Sequence, residues 1–255
     1  MKPEQRQDEI VTLLRSLQRE LRVEELAEML EVSPLTIRRD LHALSRAGAI
    51  LRTHGGCRAV GRAALESEYH LKVAQNFELK RAIGSAAAQQ VAPAATLLIN
   101  DGSTTFHLAS HLKGKGPLTI YTNSLAMISE LSQSPDITIY ILGGRYNREL
   151  YSLQGSFTEH ILESCHADIA FIGADAVAAD GQCLADSPEE ARLTQSMLRR
   201  GRTRILLADH TKFEAPGYFA YGSLRDFDLW ITTRGLPAPA LNRLRKLTEI
   251  LQVSA

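Results

Sequence analysis

The chain has 255 residues, 44% of them apolar, and its basic and acidic side chains balance to a net charge of zero. That content is enough to bury one large or two modest cores, so the sequence predicts a soluble, globular protein rather than a disordered or fibrous one. It contains no apolar run near the roughly 18 residues of a membrane span, and its opening, MKPEQRQDEIVTLL, lacks the apolar core and cleavage region of a signal peptide, so no membrane partner and a cytoplasmic location are expected. Cys57, Cys165 and Cys183 are odd in number and widely spaced, which supports neither a disulfide framework nor a zinc site.

The segment from Arg6 to Leu17 places Ile10, Leu13, Leu14 and Leu17 at helical spacing. A second helix follows at Val23 to Leu30, with Val23, Leu26, Ala27 and Leu30 on one face and acidic residues on the other. After a short break at Glu31 and Val32, Ser33 offers a capping hydroxyl, and the fixed φ of Pro34 suits a first helical position. The helix so begun carries Leu35, with a stripe of Ile37, Leu41 and Leu44, while Thr36, Arg38, Arg39 and His42 point elsewhere. Two short helices joined by a tight turn, the second presenting arginines from its start, predict a helix-turn-helix that reads a major groove. The alternative is an ordinary helical pair with solvated arginines.

Ala47 and Gly48 mark a helix stop, and AILRTHGGCRAV then reads as a hairpin turning at His54, Gly55 and Gly56. Between Ser33 and Arg58 the five arginines 38, 39, 46, 52 and 58 face one carboxylate, Asp40, a local charge of +4 in a neutral chain. A basic helix followed by a basic hairpin is the winged-helix arrangement, in which the helix contacts base edges and the wing contacts phosphates. The expected partner is double-stranded operator DNA. Its contacts fall to Ser33, Pro34, Thr36, Arg38, Arg39 and His42 on the helix, and to Arg52, His54 and Arg58 on the wing. Residues 1–60 therefore form the expected DNA-binding domain, and the small, mixed-charge stretch 61–76 the connection to a second domain at 77–255.

Residues 77–91 are alanine-rich and helical, with Leu79, Ile83, Ala86, Ala87 and Gln90 marking the rhythm before Pro93. From there apolar runs recur as ATLLIN (95–100), LTIYT (118–122), ITIYIL (137–142), ADIAFIG (167–173), RILLAD (204–209) and FDLWITT (227–233), mostly separated by helical stretches. This alternation predicts a doubly wound α/β domain whose ligand sits beyond the carboxyl ends of its strands. Small polar residues cluster at those ends: Asp101, Gly102, Ser103, Thr104 and Thr105; Thr122, Asn123 and Ser124; Gly143 and Gly144; Gly173 and Asp175; and Asp209 to Lys212. Backbone N–H groups of a Gly/Ser/Thr turn at a helix start hold anions, Asp101 or Asp175 can accept from sugar hydroxyls, and Lys212 can supply a positive charge.

The run VEELAEMLEVSPLTIRRDLHALSRAGAILRTHGG, with its TIRRDL and HGG elements, resembles the amino-terminal domain of DeoR-family bacterial transcription regulators. The resemblance implies a carboxy-terminal sensor related to ribose-5-phosphate isomerase and a phosphorylated-sugar effector. A homo-oligomer (dimer or tetramer) is expected because one winged helix reads few base pairs and specificity comes from paired half-sites, and no cofactor is expected. In those isomerases the matching positions are the Gly-Ser-Thr phosphate loop, here Gly102 to Thr105, and a Gly-Ala-Asp stretch, here Gly173 to Asp175. DHTKF (209–213) also fits the family. Two positions depart from it: Glu190 is followed four residues later by Thr194 where such sensors often carry lysine, and Thr233 stands where an acidic residue is common.

Other groupings weigh less. His107 and His111 have the i, i+4 spacing of metal ligands but lack a third ligand, and Trp230 reads as core. Asp186, Glu189 and Glu190 fit a favourable helix first turn. The expected protein is thus a DNA-binding repressor of sugar-catabolism genes rather than an enzyme, responding to a phosphorylated sugar. The alternatives are a sugar-phosphate isomerase with an appended nucleic-acid-binding module, or a DNA-binding protein whose second domain serves only oligomerisation.

Overall fold

A computed structural model describes residues 3–17, 19–46, 49–53, 55–59 and 68–254. The chain divides into two compact units, Met1–Phe77 and Glu78–Ala255.

The first unit runs α1 (Pro3–Leu17), β1 (Leu21–Arg22), α2 (Val23–Met29), α3 (Pro34–Arg46), β2 (Ile50–Thr53), β3 (Gly56–Ala59) and α4 (Glu68–Ala74). Its core takes one apolar stripe from each helix: Ile10 and Leu14, Leu26 and Ala27, and Ile37, Leu41 and Leu44, closed by Leu21, Ile50 and Cys57. β2 and β3 form the expected hairpin, with Thr53 paired to Gly56 across a two-residue turn. His54, in that turn, lies outside the described residues. The wing has three strands rather than two, because Leu21 and Arg22 pair with Cys57 and Gly56. Two residues of strand carry no period for a sequence to display. Their backbone approaches so closely that a Cβ on Gly56 would lie 2.2 Å from the Leu21 carbonyl oxygen. The stretch 61–76, expected as a connection, holds the helix α4.

The second unit continues with α5 (Phe77–Gln89), β4 (Thr96–Ile99), α6 (Ser103–Leu112), β5 (Leu118–Thr122), α7 (Leu125–Leu131), β6 (Ile137–Ile141), β7 (Arg145–Asn147), β8 (Ser152–Gln154), α8 (Ser156–Glu163), β9 (Ala167–Gly173), β10 (Ala176–Val177), β11 (Gln182–Ala185), α9 (Pro188–Leu198), β12 (Gly201–Leu207), β13 (Phe219–Ser223), β14 (Leu229–Thr233), α10 (Ala238–Leu244) and β15 (Glu249–Val253). Seven strands form one sheet in the order β15-β14-β12-β9-β4-β5-β6, every neighbouring pair parallel. Strand alternation divides its side chains between two cores. Leu98, Ala170, Ile172, Leu206 and Trp230 pack on one face with Leu162, Met197 and Leu244 of α8 to α10. Leu97, Ile99, Ile169, Phe171, Ile205, Leu207 and Ile231 pack on the other with Ile83, Leu108 and Met127 of α5 to α7. A sheet buried on both faces needs apolar residues at every position, which is why its strands read as unbroken apolar runs.

The chain adds strands outward from β4 to β5 and β6, then returns to β9 and builds β12, β14 and β15 on the opposite side. The direction of winding therefore reverses between β4 and β9, and an open α/β sheet forms its ligand crevice at such a point. Two small antiparallel elements, β10-β11-β13 and the hairpin β7-β8, were not expected from the sequence. Most of their strands are only two to four residues long.

Candidate functional site

On α3 the Ser33 hydroxyl accepts from the Thr36 N–H at 3.2 Å and lies 2.9 Å from the Thr36 hydroxyl, fixing the start of the helix. Thr36 is half-buried, and Arg38, Arg39 and His42 are exposed on the face opposite Ile37 and Leu41. The only link found from the two arginines to another described side chain is Arg38 to Glu24, at 3.6 Å with both partners about 60% exposed, a pair of little energetic consequence. Asp40, the one carboxylate in the basic stretch, is 4% exposed and turns inward to Arg6 of α1, with Nε–Oδ2 2.6 Å and Nη2–Oδ1 3.2 Å. The helix surface is therefore more positive than the sequence count implies. Asp40 in turn raises the pKa of Arg6, chiefly through this hydrogen bond. On the wing, Arg52 is half-buried, with no hydrogen-bond partner for Nε among the described residues. The Arg58 side chain lies outside those residues.

In the second unit the turn after β4 meets the turn after β9. Asn100 Oδ1 accepts from the Gly173 N–H at 3.0 Å, and a Cβ added to Gly102 would sit 3.6 Å from the Gly173 Cα. Gly102 opens α6 with no side chain capping it, so first-turn N–H groups remain for a ligand. Thr105 is fully buried, donating to the Asn100 and Gly102 carbonyls at 2.8 and 2.7 Å, and Thr104 is 5% exposed, so these two build the turn. Beside it stands a lysine the sequence reading passed over. Lys80, on α5 and 3% exposed, donates from Nζ to Ser103 Oγ at 3.0 Å. One turn further along both helices Gly84 packs on the backbone of His107, where a Cβ would lie 2.5 Å from its carbonyl oxygen, so α5 is held close enough for Lys80 to reach. The signal was present: Lys80 stands three residues before Ile83, on the buried stripe of an amphipathic helix, where a lysine is rare.

Asp101 projects beside Ser152, Asn123 and Asp175. Burial raises its pKa, the Ser152 hydroxyl and Asn123 amide partly offset this, and the Asp175 carboxylate adds to it. Asp175 Oδ2 accepts from the Asp186 N–H at 3.2 Å. Thr122 accepts from the Ser124 N–H at 3.1 Å, shaping the turn after β5. Gly143 accepts from the Thr158 hydroxyl at 2.5 Å, and Gly144, at φ 142°, passes so near Thr158 that a Cβ there would collide. The hairpin β7-β8 folds back over these ends, with Leu153 N–H to Asn123 O 2.9 Å, Leu125 N–H to Tyr151 O 3.1 Å, and a bridge between Ser124 and Ser152. Ser124 Oγ, Ser152 Oγ, Asn123 Oδ1, Gln154 Nε2 and Asp101 Oδ2 are all buried with no hydrogen-bond partner among the described residues. Each such atom costs about 1–3 kcal/mol while unpaired, so their convergence has the character of a ligand site rather than of a core.

Two further expected site residues come from other elements. Glu190 lies in the first turn of α9, where its carboxylate accepts from the Ser187 hydroxyl at 2.9 Å while Ser187 caps the Glu190 N–H at 3.2 Å. Lys212 lies in a turn after β12 that Asp209 caps through the Thr211 N–H at 2.9 Å. Thr233 holds that turn from β14: His210 donates its N–H to Thr233 Oγ1 at 3.1 Å and sets Nδ1 2.7 Å from it. Thr233 therefore has a structural task at the position where the family often carries an acid. Cys57, Cys165 and Cys183 are all free and buried. Burial pushes the Cys57 and Cys183 thiols up to about 12, which leaves them unreactive. His107 is buried on α6, and burial lowers the pKa of the half-buried His111. No helix among the described residues is long and apolar enough to cross a membrane.

Residues 6–62 match the DeoR-like helix-turn-helix domain, and residues 75–234 match the DeoR C-terminal sensor domain. The glycerol-3-phosphate regulon repressor of Escherichia coli (strain K12) is 30% identical over 244 residues, 96% of each chain. The HTH-type transcriptional regulator GlpR of Haloferax volcanii is 32% identical over 216 residues, 85% of this chain and 84% of its own. Among solved structures, ribose 5 phosphate isomerase A from Neisseria gonorrhoeae is similar with a TM-score of 0.40 and 18% identity over 54% of each chain. eIF2B beta from Chaetomium thermophilum is similar with a TM-score of 0.44 and 15% identity over 63% of this chain and 49% of its own.

Proposed function

The chain belongs to the DeoR family of transcription regulators, and from that membership we propose a repressor of sugar-catabolism genes whose operator affinity falls when a phosphorylated sugar binds. The DNA-facing groups are Arg38, Arg39, Thr36 and His42 of α3, oriented by the Ser33–Pro34 cap, with Arg52, His54 and Arg58 of the wing on phosphates. The effector phosphate sits on the turn Gly102 to Thr105. Asp101, Thr122, Asn123, Gly143, Gly144 and Asp175 line the sugar end, while Glu190 and Lys212 bound the rim. The protein acts in the cytoplasm as a homo-oligomer, because one winged helix reads few base pairs and specificity comes from paired half-sites.

The observation that carries the sensor reading is the meeting of two positive elements on one atom. The buried Lys80 ammonium reaches Ser103 Oγ, and Ser103 opens α6 at an uncapped helix start. A lysine point charge and a helix N-terminus aimed at one spot favour an anion of phosphate size. The name of the glycerol-3-phosphate regulon repressor, 30% identical, supports a phosphorylated small molecule.

A panel of sugar phosphates, scored for thermal stabilisation and for release of the full-length protein from its operator, tests this. Ligand at about 100 times its dissociation constant stabilises the bound unit by about 2.7 kcal/mol. Lys80→Met removes that shift and keeps the protein on its operator in the presence of ligand. Release is scored separately from binding, because a ligand moves an equilibrium only by its differential affinity for the two states. A panel that gives neither a melting shift nor release overturns the sensor reading, and turnover of aldose or ketose phosphates replaces it with an isomerase.

A further inference from the structure

The hairpin β7-β8 has no part in the parallel sheet, yet it buries two polar side chains at the rim. Ser152 and Gln154 are 0% and 1% exposed. Standing two residues apart on β8, they share one face of the strand. Their surroundings fix what each can offer. Asn147 donates to Gln154 Oε1 at 3.1 Å, which leaves Gln154 Nε2 as the free donor. Asn123 donates from Nδ2 to the Leu153 carbonyl at 3.2 Å, which leaves its Oδ1 as a free acceptor. Asp101 Oδ2, beside Ser152, accepts when the carboxyl is ionised and can donate when it is protonated, and the Ser124 and Ser152 hydroxyls can act either way.

One pure acceptor, one pure donor and three groups able to play either part suit neither an anion, which wants donors alone, nor an apolar group. They suit neighbouring hydroxyls, each of which donates once and accepts. Resting on the sugar-phosphate reading of the same rim, we propose that Ser152 and Gln154, with Asp101 and Asn123, form a polyol subsite that selects the hydroxyl-bearing carbon chain of the effector. The subsite lies across the end of β5 from the phosphate turn after β4, and neighbouring strands are about 4.8 Å apart. A five- or six-carbon phosphate ester held at Gly102 to Thr105 extends further towards the hairpin than a three-carbon one and carries more hydroxyls to meet it. The hairpin thus sets effector length and hydroxyl pattern, and the α6 turn sets the requirement for phosphate.

Calorimetric titration of the full-length protein with inorganic phosphate, glycerol 3-phosphate, pentose and hexose phosphates and free hexitols tests this. Wild-type protein prefers its best pentose or hexose phosphate to glycerol 3-phosphate by tenfold or more, and Ser152→Ala and Gln154→Met collapse that ratio. Gln154→Glu keeps the acceptor that holds Asn147 but replaces the free donor, so it reorders preference among the sugars in a protein with the hairpin bond intact. If sugar phosphates bind and none of the three variants changes the ratios, or if glycerol 3-phosphate matches the longer esters in wild type, the subsite is refuted. If no phosphate compound binds but hexitols do, with binding lost in Ser152→Ala, the subsite stands and the phosphate reading falls. If nothing hydroxylated binds, both fall.

Discussion

At the level of single residues, the two units use charge in opposite ways. Arg38 and Arg39 are solvated and available, so a base-reading role for either means that alanine there costs about 1–3 kcal/mol of specific operator binding and relaxes sequence preference. If Arg52 contacts a phosphate, as proposed, Arg52→Ala weakens all sequences alike and reduces the slope of log affinity against log salt by about 1. Operator titrations at several salt concentrations separate the outcomes, and unchanged affinity in both helix variants removes α3 from the interface. Asp101 is the contrasting case, a carboxylate held where burial opposes its ionised form. Its folded pKa is raised, so the folded chain holds the proton more tightly than the unfolded chain. The resulting stability is complete below the ordinary carboxylate value of about 4 and is lost as pH rises through the elevated folded value. Asp101→Asn is therefore expected to raise the melting temperature at neutral pH, to flatten its dependence on pH and to weaken effector binding. A variant less stable than wild type at neutral pH would show that Asp101 is held by stronger protein contacts than its neighbours supply.

Among the elements, the helix-turn-helix depends on one buried ion pair as much as on its apolar stripes. Arg6 and Asp40 tie α1 to α3 with side chains 10% and 5% exposed. Removing Arg6 leaves the buried Asp40 charge with the Gln7 amide, 3.1 Å from Oδ1, in place of a cation, so Arg6→Ala should destabilise the first unit by up to about 3–5 kcal/mol, whereas replacing both members of the pair with apolar residues of similar volume is far less costly. Chemical denaturation of the single and double variants measures the difference. A single variant no less stable than the double one would mean that Asp40 finds another partner. In the second unit the corresponding device is close backbone approach. Gly84 lets α5 lie against α6, and this brings Lys80 Nζ within 3.0 Å of Ser103 Oγ at the start of α6.

Taken whole, the molecule is two units with separate cores, residues 1–77 and 78–255. The first has its own closed apolar cluster drawn from three helices and the wing. A fragment ending near Arg62 is therefore expected to fold. If half-sites are paired by self-association through the second unit, as proposed, the fragment should bind operator far more weakly than the full chain. Sedimentation and operator binding of fragment and full chain provide the check, and equal affinities would place the dimer contact within the first unit.

The sequence by itself determined whatever depends on local spacing. It carried the Ser33–Pro34 cap, the Ile37/Leu41/Leu44 stripe, the six expected strands of the parallel sheet and the Gly102 to Thr105 turn, because a helix period, a doubly buried strand and a capped turn each leave a mark within a few residues. Tertiary structure alone decided which distant groups meet. Lys80 acts on Ser103 across 23 positions and Arg6 on Asp40 across 34. Ser152 and Gln154 are brought to the rim only because a hairpin of three-residue strands folds over the end of β5. The reversal of winding between β4 and β9 sets where these groups converge, and strand order follows from the packing of both faces of the sheet rather than from any one segment.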